Sequence, residues 1–281
     1  MTITGGDRTL WVSDLDGTLL GEHGLAPESK RLLAAALADG ADFTVATARS
    51  PRTALQALDG LELRLPFVAY GGATAVGADG EHLWWEHFDA RALHPLIGAS
   101  LAAGVTPLVF WLQDGVERIS WVRGAETAGV DAFLEARPGD RRFAPVDGWD
   151  EVDHEAAFFV SVVGEYPVLR RLSRMIRAIS WGIGCSLALQ RDDDGGLAVL
   201  DVTAATATKG TAVRRLAEQG GFDRVVAFGD GANDLPMFAE ADESYAVAGA
   251  SDEVRAAATG VLAAGDDAVA RFLAQRVTQQ A

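Results

Sequence analysis

The chain has 281 residues, 49% of them hydrophobic, enough for a substantial core in one large domain or two of ordinary size. A formal net charge of -16 disfavours sequence-independent binding to nucleic acid or anionic lipid. The lone cysteine, Cys185, rules out an internal disulfide and argues against a cysteine-based zinc site, a buried structural thiol being its ordinary role. No leader pattern and no apolar run of the roughly 18 residues a membrane helix needs are present, so a cytoplasmic protein is expected. An acidic chain of this kind can take a phosphorylated partner only through a bound metal and a few placed cations.

In chain order, Thr9 to Ser13 reads as an apolar strand ending at Asp14. A helix follows from Pro27 to Asp39, with Gly40 as its stop. Asp42 to Ala46 is the next strand, Pro51 opens a second helix closing near Gly60, and Pro66 to Tyr70 is a third strand. Strands alternating with helices imply parallel pairing through crossovers. From about 85 to 191 the rhythm changes to edge-like strands at 107, 117, 157 and 185, with helices between them, one opened by Pro167. Gln113, Asp114 and Gly115 read as a hairpin turn, and the Asp-Gly at 79–80 and the DDDGG at 192–196 as turns near the two ends of this α+β insertion. The first grammar then returns, with a helix from Lys209, the strand RVVAF at 224, a helix after Asn233, the strand SYAVA and a helix from Ser251. The chain is therefore expected to be α/β: a doubly wound, Rossmann-like parallel sheet formed by 1–84 and 192–281, with an α+β domain inserted at 85–191.

Chemistry concentrates at two strand ends. Asp14-Leu15-Asp16-Gly17-Thr18 follows the first strand, and carboxylates two apart at the carboxyl end of a strand can face the same side, where open parallel sheets keep their ligand crevice. A calcium loop also starts with alternating acids, but Thr18, Leu19 and Leu25 stand where that loop wants an oxygen ligand, a glycine and a glutamate. Gly229-Asp230-Gly231-Ala232-Asn233-Asp234 brings two more carboxylates and an amide to the same edge. A dinucleotide-binding turn would need glycine at Asp234. Thr47, ending the second strand, and Lys209, opening a helix, carry little weight singly. There is no HExxH pair, GxSxG elbow or GxxxxGK loop, which argues against a zinc protease, an α/β-hydrolase and a P-loop enzyme.

These four elements, in this order, resemble the motifs of the haloacid dehalogenase superfamily. KGTAVRRL and FGDGANDLPMF, with the insertion placed after the third strand, are similar to its Cof-like, sucrose-phosphate-phosphatase-like branch, which carries a C2-type cap there. The sequence departs from that branch at Ala48, where it has glycine, and at Gly71, where it has asparagine. The resemblance implies a Mg²⁺-dependent phosphatase that hydrolyses a small phosphomonoester, such as a sugar phosphate, through an aspartyl-phosphate. A phosphomutase and a non-catalytic phosphometabolite-binding protein are the alternatives.

It also implies the roles. Asp14 is the nucleophile and Asp16 the acid/base. Thr47, Lys209 and Asn233 bind phosphate, and Asp14, Asp16 (through its backbone carbonyl), Asp230 and Asp234 serve the metal, with Asn233 and Asp234 orienting Lys209. The partner is a small phosphorylated metabolite, not nucleic acid or membrane, and the protein a monomer or small homo-oligomer. Arg49 lies close enough to Thr47 to touch substrate or cap, a solvated surface arginine being equally in keeping with its position. Trp84, Trp85, Trp111, Trp121, Trp149 and Trp181 fall in or beside the insertion and would either fill its core or face a ring-shaped substrate.

Overall fold

A computed structural model of the chain describes residues 8–179, 184–191 and 196–280, which leaves Trp181 and most of the expected 192–196 turn outside it. In chain order the first elements are β1 (Thr9–Ser13), α1 (Pro27–Ala38), β2 (Asp42–Val45), α2 (Pro51–Ala57), β3 (Phe67–Ala69), β4 (Thr74–Val76) and β5 (His82–Trp85). Next come α3 (Ala90–Ala102), β6 (Leu108–Gln113), β7 (Val116–Ser120), α4 (Ala128–Glu135), β8 (Ala157–Gly164), α5 (Tyr166–Ile179), β9 (Cys185–Gln190) and β10 (Ala198–Ala204). The last are α6 (Lys209–Gly220), β11 (Arg224–Gly229), α7 (Leu235–Glu240), β12 (Glu243–Ala246), α8 (Asp252–Ala257), β13 (Gly260–Val261) and α9 (Ala268–Gln280).

The chain divides into two compact units, Met1–Trp84 with Thr208–Ala281, and Trp85–Ala207. The first contains a five-stranded sheet in the order β13-β12-β11-β1-β2, with every pair parallel. β1 and β11 are apolar because a central parallel strand is covered on both faces: Leu10, Val12, Ala227 and Phe228 have no exposed surface. The strand order reverses between β1 and β11. That is the switch point at which open α/β sheets leave a crevice beyond their strand ends. The third expected strand, β3, joins β2 through one parallel bridge, Ala46 to Val68, and otherwise pairs antiparallel with β4. α1 packs with α9, and α6 with α7.

The second unit is an antiparallel sheet in the order β7-β6-β8-β10-β9. β6 and β8, read from the sequence as edge-like, are interior strands. Only β7 and β9 lie at edges. β10 shifts the domain boundary from the one the sequence leads one to expect, with 192–207 in the first unit: β10 is hydrogen-bonded on both sides within the second, and the division falls at Thr208. Along β10, Ala198, Leu200, Val202 and Ala204 are buried on one face, and α5 packs on that face, its Leu169 lying against Gly164, the partner of Ala198. α4 covers part of the other face, where Gly129 abuts Val163. Trp111 and Trp121 are buried in this unit and give their indole N–H to Ser120 and Glu126, at 2.9 and 2.8 Å. Trp84 is buried in the first unit, under the Arg215 guanidinium. These three are core residues. Cys185 is half-buried on the edge strand β9, and burial pushes its thiol pKa up.

The face of β10 opposite α5 holds a half-buried acid. The Asp201 carboxylate accepts a hydrogen bond from Ser161 Oγ at 2.7 Å, yet burial pushes its pKa from 3.8 to about 6, against the pull of Ser161 and Arg137. A carboxyl group whose folded pKa is raised stabilises the fold below its unfolded pKa and loses that contribution as pH rises through the folded one. Asp201→Asn is therefore expected to gain stability over the wild type between pH 4 and pH 7, by about 3 kcal/mol at the upper end. Urea unfolding of both proteins across that range checks it, and two parallel stability curves would contradict it.

Candidate active site

The turn after β1 is shaped by what it must approach. Asp14 N donates to Phe228 O, which ties the end of β1 to β11, and the N–H groups of Thr18, Leu19 and Leu20 return to Leu15 O. Gly17 has φ +78°, and a Cβ there would lie 2.4 Å from Asp230 Oδ2. Only glycine lets the backbone turn so close to that carboxylate. Thr18, whose only part in the sequence reading is to exclude a calcium loop, donates its hydroxyl to Asp230 Oδ1 at 2.9 Å.

On the β11 side, the turn Ala232–Asp234 directs Asp234 inward. Asp234 Oδ2 accepts from the Asp230 and Gly231 amides, both at 3.0 Å, and its other oxygen takes Lys209 Nζ at 2.7 Å. Lys209 is the first residue of α6, whose N-cap Thr208 accepts from Thr211 N through its side chain. Its ammonium also reaches Asp14 Oδ1, at 2.6 Å, and it is 1% exposed.

Ligand oxygens of Asp14, Asp230 and Asp234 all lie within 4.8 Å of one another. Three carboxylates thus lie around one ammonium. Burial pushes Asp14 up to about 7, with Lys209 pulling it down and Asp234 pushing it further up. Burial also raises Asp230. For Lys209, burial pulls down but is outweighed by Asp14 and Asp234, so its pKa rises. An oxygen-only donor set with surplus negative charge suits a hard divalent cation such as Mg²⁺.

The remaining residues named from the sequence divide. Thr47 has no exposed surface. It is fixed by Thr47 N donating to Val68 O, and its hydroxyl oxygen accepts from Arg49 N at 3.1 Å. The Asp16 carboxylate does not join the trio but lies against Arg49. The Asn233 side chain is exposed and makes no hydrogen bond among the described residues, and Lys209 is held by Asp14 and Asp234. Ala48 costs nothing in backbone strain, since Tyr70 and Asp114 are the non-glycine residues described with positive φ. Tyr70 N donates to Arg49 O and Gly71 N to Thr47 O, lacing the segment after β3 onto the Thr47 loop.

A family profile described as haloacid dehalogenase-like hydrolase matches residues 11–116 and 193–273. The chain belongs to that family, and the resemblance to its Cof-like branch stands. A Haemophilus influenzae protein provisionally named a phosphatase is 26% identical over 277 residues, covering 94% of this chain and 96% of the relative. A solved structure from Thermotoga maritima matches with a TM-score of 0.75 at 20% identity, over 95% of this chain and 96% of that one. A haloacid dehalogenase-like hydrolase of Bacteroides thetaiotaomicron gives 0.73 at 20% identity, over 96% and 99%. A subclass IIB sugar phosphatase gives 0.65 at 18% identity, over 97% and 98%. At these identities the solved structures are similar in fold. Among the described residues no helix is long and apolar enough to cross a membrane.

Proposed function

We propose that the protein is a phosphatase that removes phosphate from a small phosphorylated metabolite by way of an aspartyl-phosphate on Asp14. The observation that carries this reading is the trio of Asp14, Asp230 and Asp234, two of them buried, around Lys209 at the switch point of the sheet. Asp14, Asp230 and Asp234 would hold Mg²⁺, which when bound offsets their charge and that of the phosphate. Asp14 attacks phosphorus through a carboxylate oxygen. The bond to the leaving oxygen breaks, its electron pair stays on that oxygen, and Asp16 supplies the proton. Asp16 then takes a proton from water, whose oxygen attacks phosphorus and frees the Asp14 carboxylate together with inorganic phosphate. Lys209 and the Thr47 hydroxyl stabilise charge on the equatorial phosphate oxygens.

A sugar phosphate is the substrate class in best accord with the named sugar phosphatase of similar fold, and the acidic chain points away from nucleic acid and membrane partners. In this reading Trp85–Ala207 is the substrate-selecting cap, on the ground of its insertion point between the third strand and Lys209. The test is phosphate release by the purified protein in Mg²⁺ from p-nitrophenyl phosphate and a panel of sugar phosphates. Release from several, with at least one sugar phosphate preferred, is expected. Release from none would overturn the reading.

A further inference from the structure

The two carboxylates of the Asp14-Leu15-Asp16 turn each face a different cation. Asp14 holds Lys209, which is enclosed, while Asp16 holds Arg49, which is not: the side chains of Arg49 and Asp16 are 35% and 56% exposed. Arg49 grips with its fork. Nε lies 2.9 and 3.2 Å from the two Asp16 oxygens, and Nη2 lies 2.6 Å from Oδ1. Both oxygens of the acid/base proposed above are thus occupied by a group that stays protonated and so cannot take its proton onward. An Asp16 held in this way is not placed to serve a leaving oxygen.

The arginine is fixed at its backbone and free at its tip. Arg49 N donates to Thr47 Oγ1 and Arg49 O accepts from Tyr70 N, whereas the guanidinium's remaining tie is a long bond of 3.4 Å from Nη1 to Thr53 O. A phosphate presents the same pair of acceptor oxygens as a carboxylate, with more charge, and a guanidinium fork fits both. Within the first unit, the backbone that carries Arg49 is bonded to Thr47, the proposed phosphate ligand. We propose that Arg49 is an exchangeable phosphate ligand: in the substrate-free protein it rests on Asp16, and an arriving phosphate draws it away, so that binding the phosphoryl group uncovers the acid/base. One side chain would then link phosphate capture to readiness for leaving-group protonation.

This inference rests on the proposed phosphatase activity, and its test separates the two. Inorganic phosphate binding is measured by calorimetry in Mg²⁺, without turnover, for the wild type, Arg49→Gln and Arg49→Lys. KM and kcat for p-nitrophenyl phosphate are measured alongside. Charge-assisted hydrogen bonds are strong enough that Arg49→Gln should weaken phosphate binding about tenfold or more. KM should rise by a similar factor and kcat fall less than threefold, because a phenolate leaves without much help from Asp16. Arg49→Lys, which keeps the charge and loses the fork, should fall between.

Phosphate affinity within twofold of wild type in both variants, with kcat lowered, would make Arg49 a fixed orienter of Asp16 and overturn the exchange. If Arg49→Gln does not fold, judged by circular dichroism, the same comparison is decided by Arg49→Lys. A wild type that binds phosphate but hydrolyses nothing would sink the phosphatase reading while still deciding Arg49, and one that does not bind phosphate would sink both.

Discussion

Asp14→Asn should fold normally and turn over at no more than about one ten-thousandth of the wild-type rate, since the loss of a nucleophile is among the largest single-residue effects an enzyme shows. The geometry separates the two halves of that expectation. An asparagine oxygen can still accept from Lys209 Nζ, now 2.6 Å from Asp14 Oδ1, so the ammonium keeps partners in both residue 14 and Asp234. The substitution also removes one negative charge from a group of three carboxylates around a single ammonium, two of them buried, which relieves the site electrostatically. The melting temperature should therefore hold or rise while phosphate release disappears. Chelating the wild type with EDTA should silence it equally, and added Mg²⁺ should restore it. Turnover near the wild-type rate in Asp14→Asn would exclude a covalent intermediate on this residue.

What could be read from the sequence was what is local. β1 and β11 are apolar runs of residues adjacent in sequence, and the acidic motifs follow them immediately, so element and chemistry could be read together. β10 shows the limit. Its inward residues form an alternating pattern that suits a sheet of either unit, and its placement depends on pairing with β8, far back in the chain, which no neighbouring residue announces. The same holds for β6 and β8, since being interior is a property of partners found elsewhere in the sequence. Asn233 and Asp234 are adjacent polar residues, and composition does not say which turns inward. The turn at 232–234 decides it by giving the Asp234 carboxylate two backbone amides to accept from. Arg49 could be placed near Thr47 from the sequence, but its grip on Asp16 needs the loop after β2 and the turn after β1 to meet, which is tertiary. In physical terms, strand ends carry their chemistry with them, whereas pairing partners, and the direction a polar side chain takes, are set by distant parts of the chain.

Asp16→Asn should lower kcat/KM on a sugar phosphate by roughly 10² to 10⁴, the usual worth of general acid catalysis, and on p-nitrophenyl phosphate by much less. An alkoxide leaves poorly without a proton, whereas p-nitrophenolate is already stabilised. The structure makes this comparison clean, because the Asp16 carboxylate stands apart from Asp14, Asp230 and Asp234 and its partner is the part-exposed Arg49. Breaking a pair as exposed as this one costs about 1 kcal/mol of stability at most, so the variant should stay folded with its acidic trio intact. The parameter must be kcat/KM, which reports steps through the first irreversible one. kcat would also fall when Asp16 is missing as the base that activates water against the aspartyl-phosphate, and phosphoenzyme should then accumulate on p-nitrophenyl phosphate. Asparagine at position 16 also releases Arg49 from its ion pair, so inorganic phosphate should bind the variant more tightly than the wild type. Equal losses of kcat/KM on both substrates, with chemistry limiting each, would mean that Asp16 only shapes the turn after β1 and that the leaving oxygen takes its proton from another source.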